Sequence, residues 1–421
     1  MVVEDIVIGR EPEDFEVYGK GACINLGKHI VGKGFNFHLT NPILMDVLRP
    51  HVILIVGKRG SGKSYTSAVL AEEITKLPDE VKQNLSCLLI DTMGIFWSMK
   101  NPNDRQLMQL TEWGLKPKGF DVKIIIPIGI KPYYEKYGIS YDGVFAIKPS
   151  ELSSADWALT FNINLYDSLG ILLERVLKKL KRKDYSIEDI IDAIENDKRS
   201  EEKEKLALEN RFLSAKGWGI FSKEAVHIEK FLEPGAVVIL DVSLQETNVR
   251  SLMIGILCRE IYQTRTAARR EEEMGLMGGE LVKRVPMTWI TIDECHTYLP
   301  AEGETAATHD LLTLLRQGRQ PGISLVLITQ RPNKIHEDAM SQADLVISHR
   351  LTAKPDVDAL SAIMQTYLLS DIRKLLQDLP KTRGAALILD DNSERIFNVQ
   401  VKPRQSWHAG ESPVALKEKS S

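Results

Sequence analysis

One stretch constrains this chain more than any other: the apolar run Ile53-Leu-Ile-Val56 empties directly into Gly57-Lys58-Arg59-Gly60-Ser61-Gly62-Lys63-Ser64, a G-x-x-x-x-G-K-S string. The glycines let the backbone curl so that successive N–H groups face phosphate oxygens. The amino end of the following helix adds positive potential, Lys63 reaches the β- and γ-phosphates, and Ser64 offers a Mg²⁺ ligand. A plain Gly-rich turn is the alternative. The strand-like run before the string and the helical pattern of 65–74 after it favour the phosphate loop, with Tyr65 closing the set of nucleotide contacts. The expected cofactors are ATP and Mg²⁺, although no base-reading motif separates ATP from GTP.

The rest of the pattern is α/β. Short apolar runs at 86–91, 122–127, 236–241, 287–293 and 325–329 are continuous in character, as parallel strands covered on both faces require. Helical spacing at 249–269 and 310–317 separates the later ones, which predicts a doubly wound, mostly parallel sheet flanked by helices. Between about 150 and 230 the strands stop, and 165–183, 187–196 and 201–215 read as a helical insertion. Residues 1–48 alternate apolar stretches with glycines and predict a small β-rich amino-terminal module. A P-loop NTPase core then spans 49–403, with strands near 385–389 and 396–401, and 404–421 form a polar, mobile tail.

Composition narrows the setting. With 54 Lys and Arg against 58 Asp and Glu, the net charge of −4 excludes a uniformly basic surface, so nucleic-acid binding would have to be local. The basic run 178–183 reads as a solvated helix face rather than a DNA contact. The cysteines Cys23, Cys87, Cys258 and Cys295 lack paired spacing and suit reduced thiols. No apolar run approaches a membrane span and no signal sequence opens the chain, so a soluble cytoplasmic protein with no membrane partner is expected.

Hydrolysis needs a carboxylate pair, and Asp293-Glu294 at the end of the run 287–293 supplies it. Asp293 is the expected Mg²⁺ residue beside Ser64, and Glu294 the base that deprotonates the attacking water. A strand ending in surface acids is the bland alternative, and the phosphate loop weighs against it. Gln330, at the end of the next strand in Thr329-Gln330-Arg331-Pro332, is the expected γ-phosphate sensor. Arg319 and Arg350 are candidate arginine fingers, with Arg316 and Arg331 nearby in sequence. Asp91 ends another strand and either supports the metal or caps a turn. Asp293-Glu-Cys-His296 also spells a DEAH-like box of monomeric helicases, but its distance from Lys63 and the short stretch after it do not suit a two-lobed enzyme, and His296 reads as a helix-start or packing residue.

Taken together, the phosphate loop, Asp91-Thr-Met-Gly94, the segment from Val238-Ile-Leu-Asp241 to Arg259, Asp293-Glu294, and Gly318-Arg319 followed by Thr329-Gln330-Arg331-Pro332 resemble the HerA branch of the FtsK–HerA superfamily over residues 20–403. The resemblance implies a RecA/FtsK-like core and a homohexameric ring with ATP at subunit interfaces. It also implies double-stranded DNA in the channel and a finger supplied by Arg319 or by a residue near Arg49 or His51. A NurA-type nuclease is the implied partner, docking on an amino-terminal barrel that is shorter here than is usual for the family. The usual Asp-Pro-His-Gly-Glu-Tyr is Asp91-Thr-Met-Gly-Ile-Phe96, so only its Asp and Gly carry over.

The resulting expectation is an ATP-driven DNA translocase. The alternative is an ATP-controlled assembly or regulatory subunit that gates a partner without processive movement.

Overall fold

The computed structural model describes residues 5–33, 36–180, 184–224, 231–278, 285–364 and 372–410. Its strands are β1 (Ile6–Ile8), β2 (Cys23–Lys33), β3 (Asn36–Asp46), β4 (Val52–Val56), β5 (Leu85–Asp91), β6 (Val122–Pro127) and β7 (Gly143–Phe145), followed by β8 (Val237–Asp241), β9 (Met287–Ile292), β10 (Ile323–Thr329), β11 (Leu345–His349), β12 (Ala385–Asp390) and β13 (Arg395–Val401). They form a single sheet in the order β1-β3-β2-β13-β12-β11-β4-β10-β9-β5-β8-β6-β7. Every neighbouring pair from β11 to β7 is parallel, and β12, β13, β2 and β3 extend the sheet by antiparallel pairing.

Two apolar layers explain the continuous runs in the sequence. Leu54, Val56, Leu88, Ile90, Leu240 and Leu327 point to one face, where they pack with the helical insertion and with the helices Thr247–Leu276 and Thr308–Gln317. Ile53, Ile55, Leu89, Ile239 and Ile328 point to the other and meet the helix Lys63–Thr75. A strand covered on both faces has no polar side to alternate with.

The helical insertion lies between β7 and β8 as the helices Ser154–Phe161, Ser168–Leu180, Ile187–Glu195 and Glu202–Lys216. Three of them open with capping boxes, Ser153 with Asp156, Ser186 with Asp189 and Glu201 with Glu204, which satisfy free amide groups of the first turn. Trp157 is fully buried among Phe161, Phe212 and Phe221. In the basic run 178–183, Lys179 pairs with Asp197 at 3.1 Å, and residues 181–183 lie outside the described residues.

The ends of the chain differ from expectation. The amino-terminal strands are not a separate module: β2 pairs with β13, with Gly27 opposite Val401, and so lengthens the core sheet. A Cβ at Gly27 would sit 2.2 Å from the Gln400 carbonyl oxygen, so any side chain there would prise the two strands apart. At the other end, Lys402, Arg404, Gln405 and Ser406 are buried instead of starting a mobile tail. Glu72 of the helix Lys63–Thr75 accepts the N–H groups of Gln405 and Ser406 at 2.9 and 3.0 Å, and Arg404 lies 3.7 Å from the same carboxylate.

A charged clasp fixes the extension to the core. Asp46 accepts from Arg10 Nε at 2.6 Å, and the fully buried His51 lies 3.0 Å from Asp46 and 2.5 Å from Asp344, the residue before β11. Burial opposes a charge on His51, but the Asp344 and Asp46 carboxylates outweigh it and push the imidazole up to about 9. The folded protein therefore binds this proton more tightly than the unfolded chain, whose histidine titrates near ~6.5. The stabilisation is complete below ~6.5, declines as pH rises, and is gone above about 9. We expect urea unfolding to show wild-type stability falling between pH 6 and 10. His51→Asn should be destabilised by about 3 kcal/mol at pH 6 and should lose that pH dependence. Parallel declines in both proteins would contradict the clasp.

Candidate nucleotide site

The parallel register brings the ends of β4, β9, β10 and β11 to one edge of the sheet: Val56 lies opposite Thr329 on one side and Ser348 on the other, and Ile292 opposite Leu327. Ligands of open α/β sheets collect at this carboxyl edge. The loop Gly57 to Ser64 leaves β4 there and enters the helix Lys63–Thr75. Gly57 has no room for a side chain, since a Cβ would lie 2.5 Å from Ser61 Oγ and 2.7 Å from His349 Cβ. Gly62 has φ +120°, which L side chains rarely adopt.

The functional side chains then follow in order. Lys63 is buried and donates to the Lys58 carbonyl at 3.1 Å, closing the loop on itself. Burial holds its ammonium below the usual lysine range, against the pull of Glu294 and Asp293. Ser64 Oγ donates to Asp293 Oδ2 at 3.1 Å. Burial, reinforced by the neighbouring Glu294, pushes the Asp293 carboxyl up to about 6. Hydroxyl and carboxylate oxygens side by side, next to a buried ammonium, form the donor set that a hard divalent cation and its phosphate partners suit. Ser64 and Asp293 would hold Mg²⁺, which when bound offsets phosphate charge.

Glu294 stands just past the strand with φ 49° and ψ 41°, a left-handed conformation that is uncommon outside glycine and often marks functional positions. The turn carries its carboxylate off the strand axis, where Gln330 Nε2 donates to Oε1. His296 Nδ1 lies 3.5 Å from Oε2 and 3.0 Å from Thr329 Oγ1, and burial keeps the imidazole below its usual range. The expected base and the expected sensor thus form one hydrogen-bonded unit at adjacent strand ends.

Asp91 has the other of its two expected roles. Its carboxylate accepts the N–H groups of Met93, Gly94, Ile95 and Phe96 at 2.7–3.1 Å, which makes it the organiser of this turn. Burial and the adjacent Asp241 push it up to about 7 against those four donors. The turn presents Met93 and Ile95 to the nucleotide cleft.

The arginines divide by edge. Arg350 follows β11 at the carboxyl edge, and its carbonyl accepts the Lys58 N–H at 2.9 Å. Arg319 precedes β10 at the opposite edge, 67% exposed and 3.4 Å from Glu11. The seven residues of β10 separate it by about 20 Å from Gln330, so Arg319 does not reach the site of its own chain. Arg316 pairs with Asp338. Arg49 is held by Asp14 at 2.7 Å, and burial removes His51 from the finger candidates.

Sequence reasoning missed the walls of the cleft. Thr66 Oγ1 meets the buried His349 at 2.9 Å, and Arg383, Gly384, Gln400 and His408 line the cleft opposite Lys63 and Ser64. The Tyr65 hydroxyl donates to Gln106 at 2.9 Å and accepts the Arg404 N–H at 2.7 Å, and its ring meets His408 edge-on. These residues come from distant strands and from the carboxy-terminal strap, and no short motif announces them.

The family model of the helicase HerA central domain matches residues 24–261. The chain belongs to the HerA family. The DNA double-strand break repair helicase HerA of Sulfurisphaera tokodaii is 22% identical over 398 residues, covering 92% of this chain and 72% of that protein. Its counterpart in Pyrococcus furiosus is 24% identical over 165 residues, 35% of this chain and only 28% of that protein. The probable HerA of Methanocaldococcus jannaschii is matched over 65% of its length, so the chain spans only part of these relatives. Among solved structures, VirB4 of Thermoanaerobacter pseudethanolicus aligns with TM-score 0.51 at 14% identity, covering 90% of this chain and 97% of that one. The bacterial conjugative coupling protein TrwB aligns with TM-score 0.51 at 13% identity, covering 88% of each chain. These likenesses establish the fold, a mostly parallel sheet flanked by helices.

Within this HerA-family site, the Gln330 contact with Glu294 yields a kinetic expectation. Gln330→Ala should lower the turnover number for ATP by about 10–100-fold while changing nucleotide affinity less than about threefold, because the amide acts on the base rather than on the phosphate loop. Titration of a fluorescent ATP analogue beside steady-state hydrolysis separates the two effects, and a variant that loses affinity instead would remove Gln330 from this role.

Proposed function

We propose that the protein is an ATP-hydrolysing motor that acts as a ring, expected to be a homohexamer, on double-stranded DNA. The observation that carries the reading is the Gln330–Glu294 unit beside Lys63, Ser64 and Asp293, a complete hydrolytic set rather than a binding loop alone. The loop from Gly57 to Ser64 would cradle the phosphates of ATP with its backbone amide groups and the amino end of the helix that follows. Lys63 neutralises the β- and γ-oxygens, Gln330 holds the Glu294 carboxylate, and Glu294 takes the proton of the water that attacks the γ-phosphorus in line, giving ADP and phosphate.

The position of Arg319 supports a ring. It is exposed at the edge away from its own nucleotide, so it fits as a finger only for the site of a neighbouring subunit. The family relatives named as DNA repair helicases support DNA as the track. A second reading is nucleotide-controlled gating of a protein partner such as a nuclease.

Steady-state ATP hydrolysis with and without linear duplex DNA, at low and moderate salt, tests the proposal. DNA should raise turnover, the stimulation should fade with salt, and Glu294→Gln should bind ATP without hydrolysing it. Robust hydrolysis indifferent to DNA would move the assignment to partner gating, and normal turnover by Glu294→Gln would remove Glu294 as the base.

A further inference from the structure

Beside the nucleotide cleft, on the β11 side of the phosphate loop, lies a second open cleft of about 570 Å³. Among the described residues its lining includes Lys58, Arg350, Lys354, Arg373, Lys381 and Arg383 and no Asp or Glu. Arg373 pairs with Asp358, whereas Arg350, Lys354, Lys381 and Arg383 make no ion pair with any described residue. In a chain whose net charge is −4, such a one-signed concavity is a strong local departure. Like charges gathered in a cleft repel one another and focus positive potential outward, an arrangement that an anionic ligand relieves.

The two clefts are neighbours rather than one site. They share Gly60, Thr382 and Arg383, but Lys63, Ser64, Asp293, Glu294 and Gln330 line only the first. The second therefore lacks the groups that would hold and cleave a triphosphate.

The geometry points to this basic cleft as a binding site for the phosphodiester backbone of nucleic acid, pressed against the rear of the phosphate loop. The assignment rests on the DNA-motor reading and adds to it where the track touches the chain. Six cations lining one cleft, four of them without an ion pair to any described residue, carry more charge than a single compact anion neutralises and suit a backbone of repeating phosphates. The site also has a direct physical route to the chemistry. The Arg350 carbonyl oxygen accepts the Lys58 N–H at 2.9 Å and the cleft is walled by Gly60 and Ser61, so a backbone seated there bears on the same loop that holds the nucleotide.

Lys354 and Lys381 are exposed and stand outside the hydrolytic set, which makes them suitable probes. In the full chain, we compare wild type with Lys354→Gln/Lys381→Gln by fluorescence anisotropy on a labelled duplex across a salt series. We also measure ATP hydrolysis without DNA and the sedimentation of each protein. The double variant should bind the duplex about tenfold more weakly at moderate salt, and its plot of log affinity against log salt should be shallower by about 2, as expected when two phosphate contacts are lost. Its DNA-free hydrolysis and its oligomeric state should be unchanged.

Unchanged affinity and slope, with wild type binding DNA, would overturn the cleft assignment and leave the motor reading standing. No duplex binding by wild type would overturn both. A raised KM for ATP with intact DNA affinity would assign the cleft to nucleotide, and loss of oligomer with intact DNA affinity would assign it to a second copy of the chain; either result overturns the proposal.

Discussion

The site depends on the parallel pairing of β11, β4, β10 and β9, in a register that ends these strands at one edge. Lys63, Asp293, Glu294 and Gln330 come from separate parts of the chain, and what brings them together is that Val56 ends opposite Thr329 while Ile292 pairs with Leu327, two residues short of that level, so that Glu294 follows at the same edge. A shift of one residue in β10 would turn its inward side chains outward and carry Gln330 away from Glu294. The buried apolar layers on both faces oppose such a slip, because Leu327 and Ile328 each belong to a different core. Packing energy spent on the fold thus serves as positional precision at the strand ends.

The groups of the nucleotide site are electrostatically unsatisfied by one another. A buried ammonium is held low and a buried carboxyl is held high, so the protein has gathered opposing groups whose natural complements are phosphate oxygens and a divalent cation. The clasp at the other edge has the opposite character. His51, Asp46, Arg10 and Asp344 satisfy one another, and their role is to fasten the amino-terminal strands to the core. Burial of charge therefore separates the two edges of one sheet into a structural edge and a chemical one.

Much of this was legible in the sequence, for identifiable reasons. The phosphate loop and Asp293-Glu294 are local strings whose chemistry dictates residue type and spacing, and the central strands declare themselves as continuous apolar runs. β11 was missed because Leu345-Val-Ile-Ser-His is short and ends in polar residues, although Ser348 and His349 are buried. Of the strap from Lys402 to Ser406, the residues from Arg404 on read as tail because their composition is polar. Glu72 and Glu73, which bind it, sit on the far-off phosphate-loop helix, where sequence gives no sign that a carboxylate is buried. The basic cleft was invisible for the same reason: its six cations are scattered from position 58 to 383, and only the fold gathers them.

The most direct measurement is a structure of the protein with Mg²⁺ and a non-hydrolysable ATP analogue. The account predicts the triphosphate over Gly57 to Ser64, the cation between Ser64 and Asp293, and a water between the γ-phosphate and a Glu294 carboxylate still held by Gln330. A triphosphate seated elsewhere, or Glu294 turned away from the γ-phosphate with Gln330 unpaired, would contradict it.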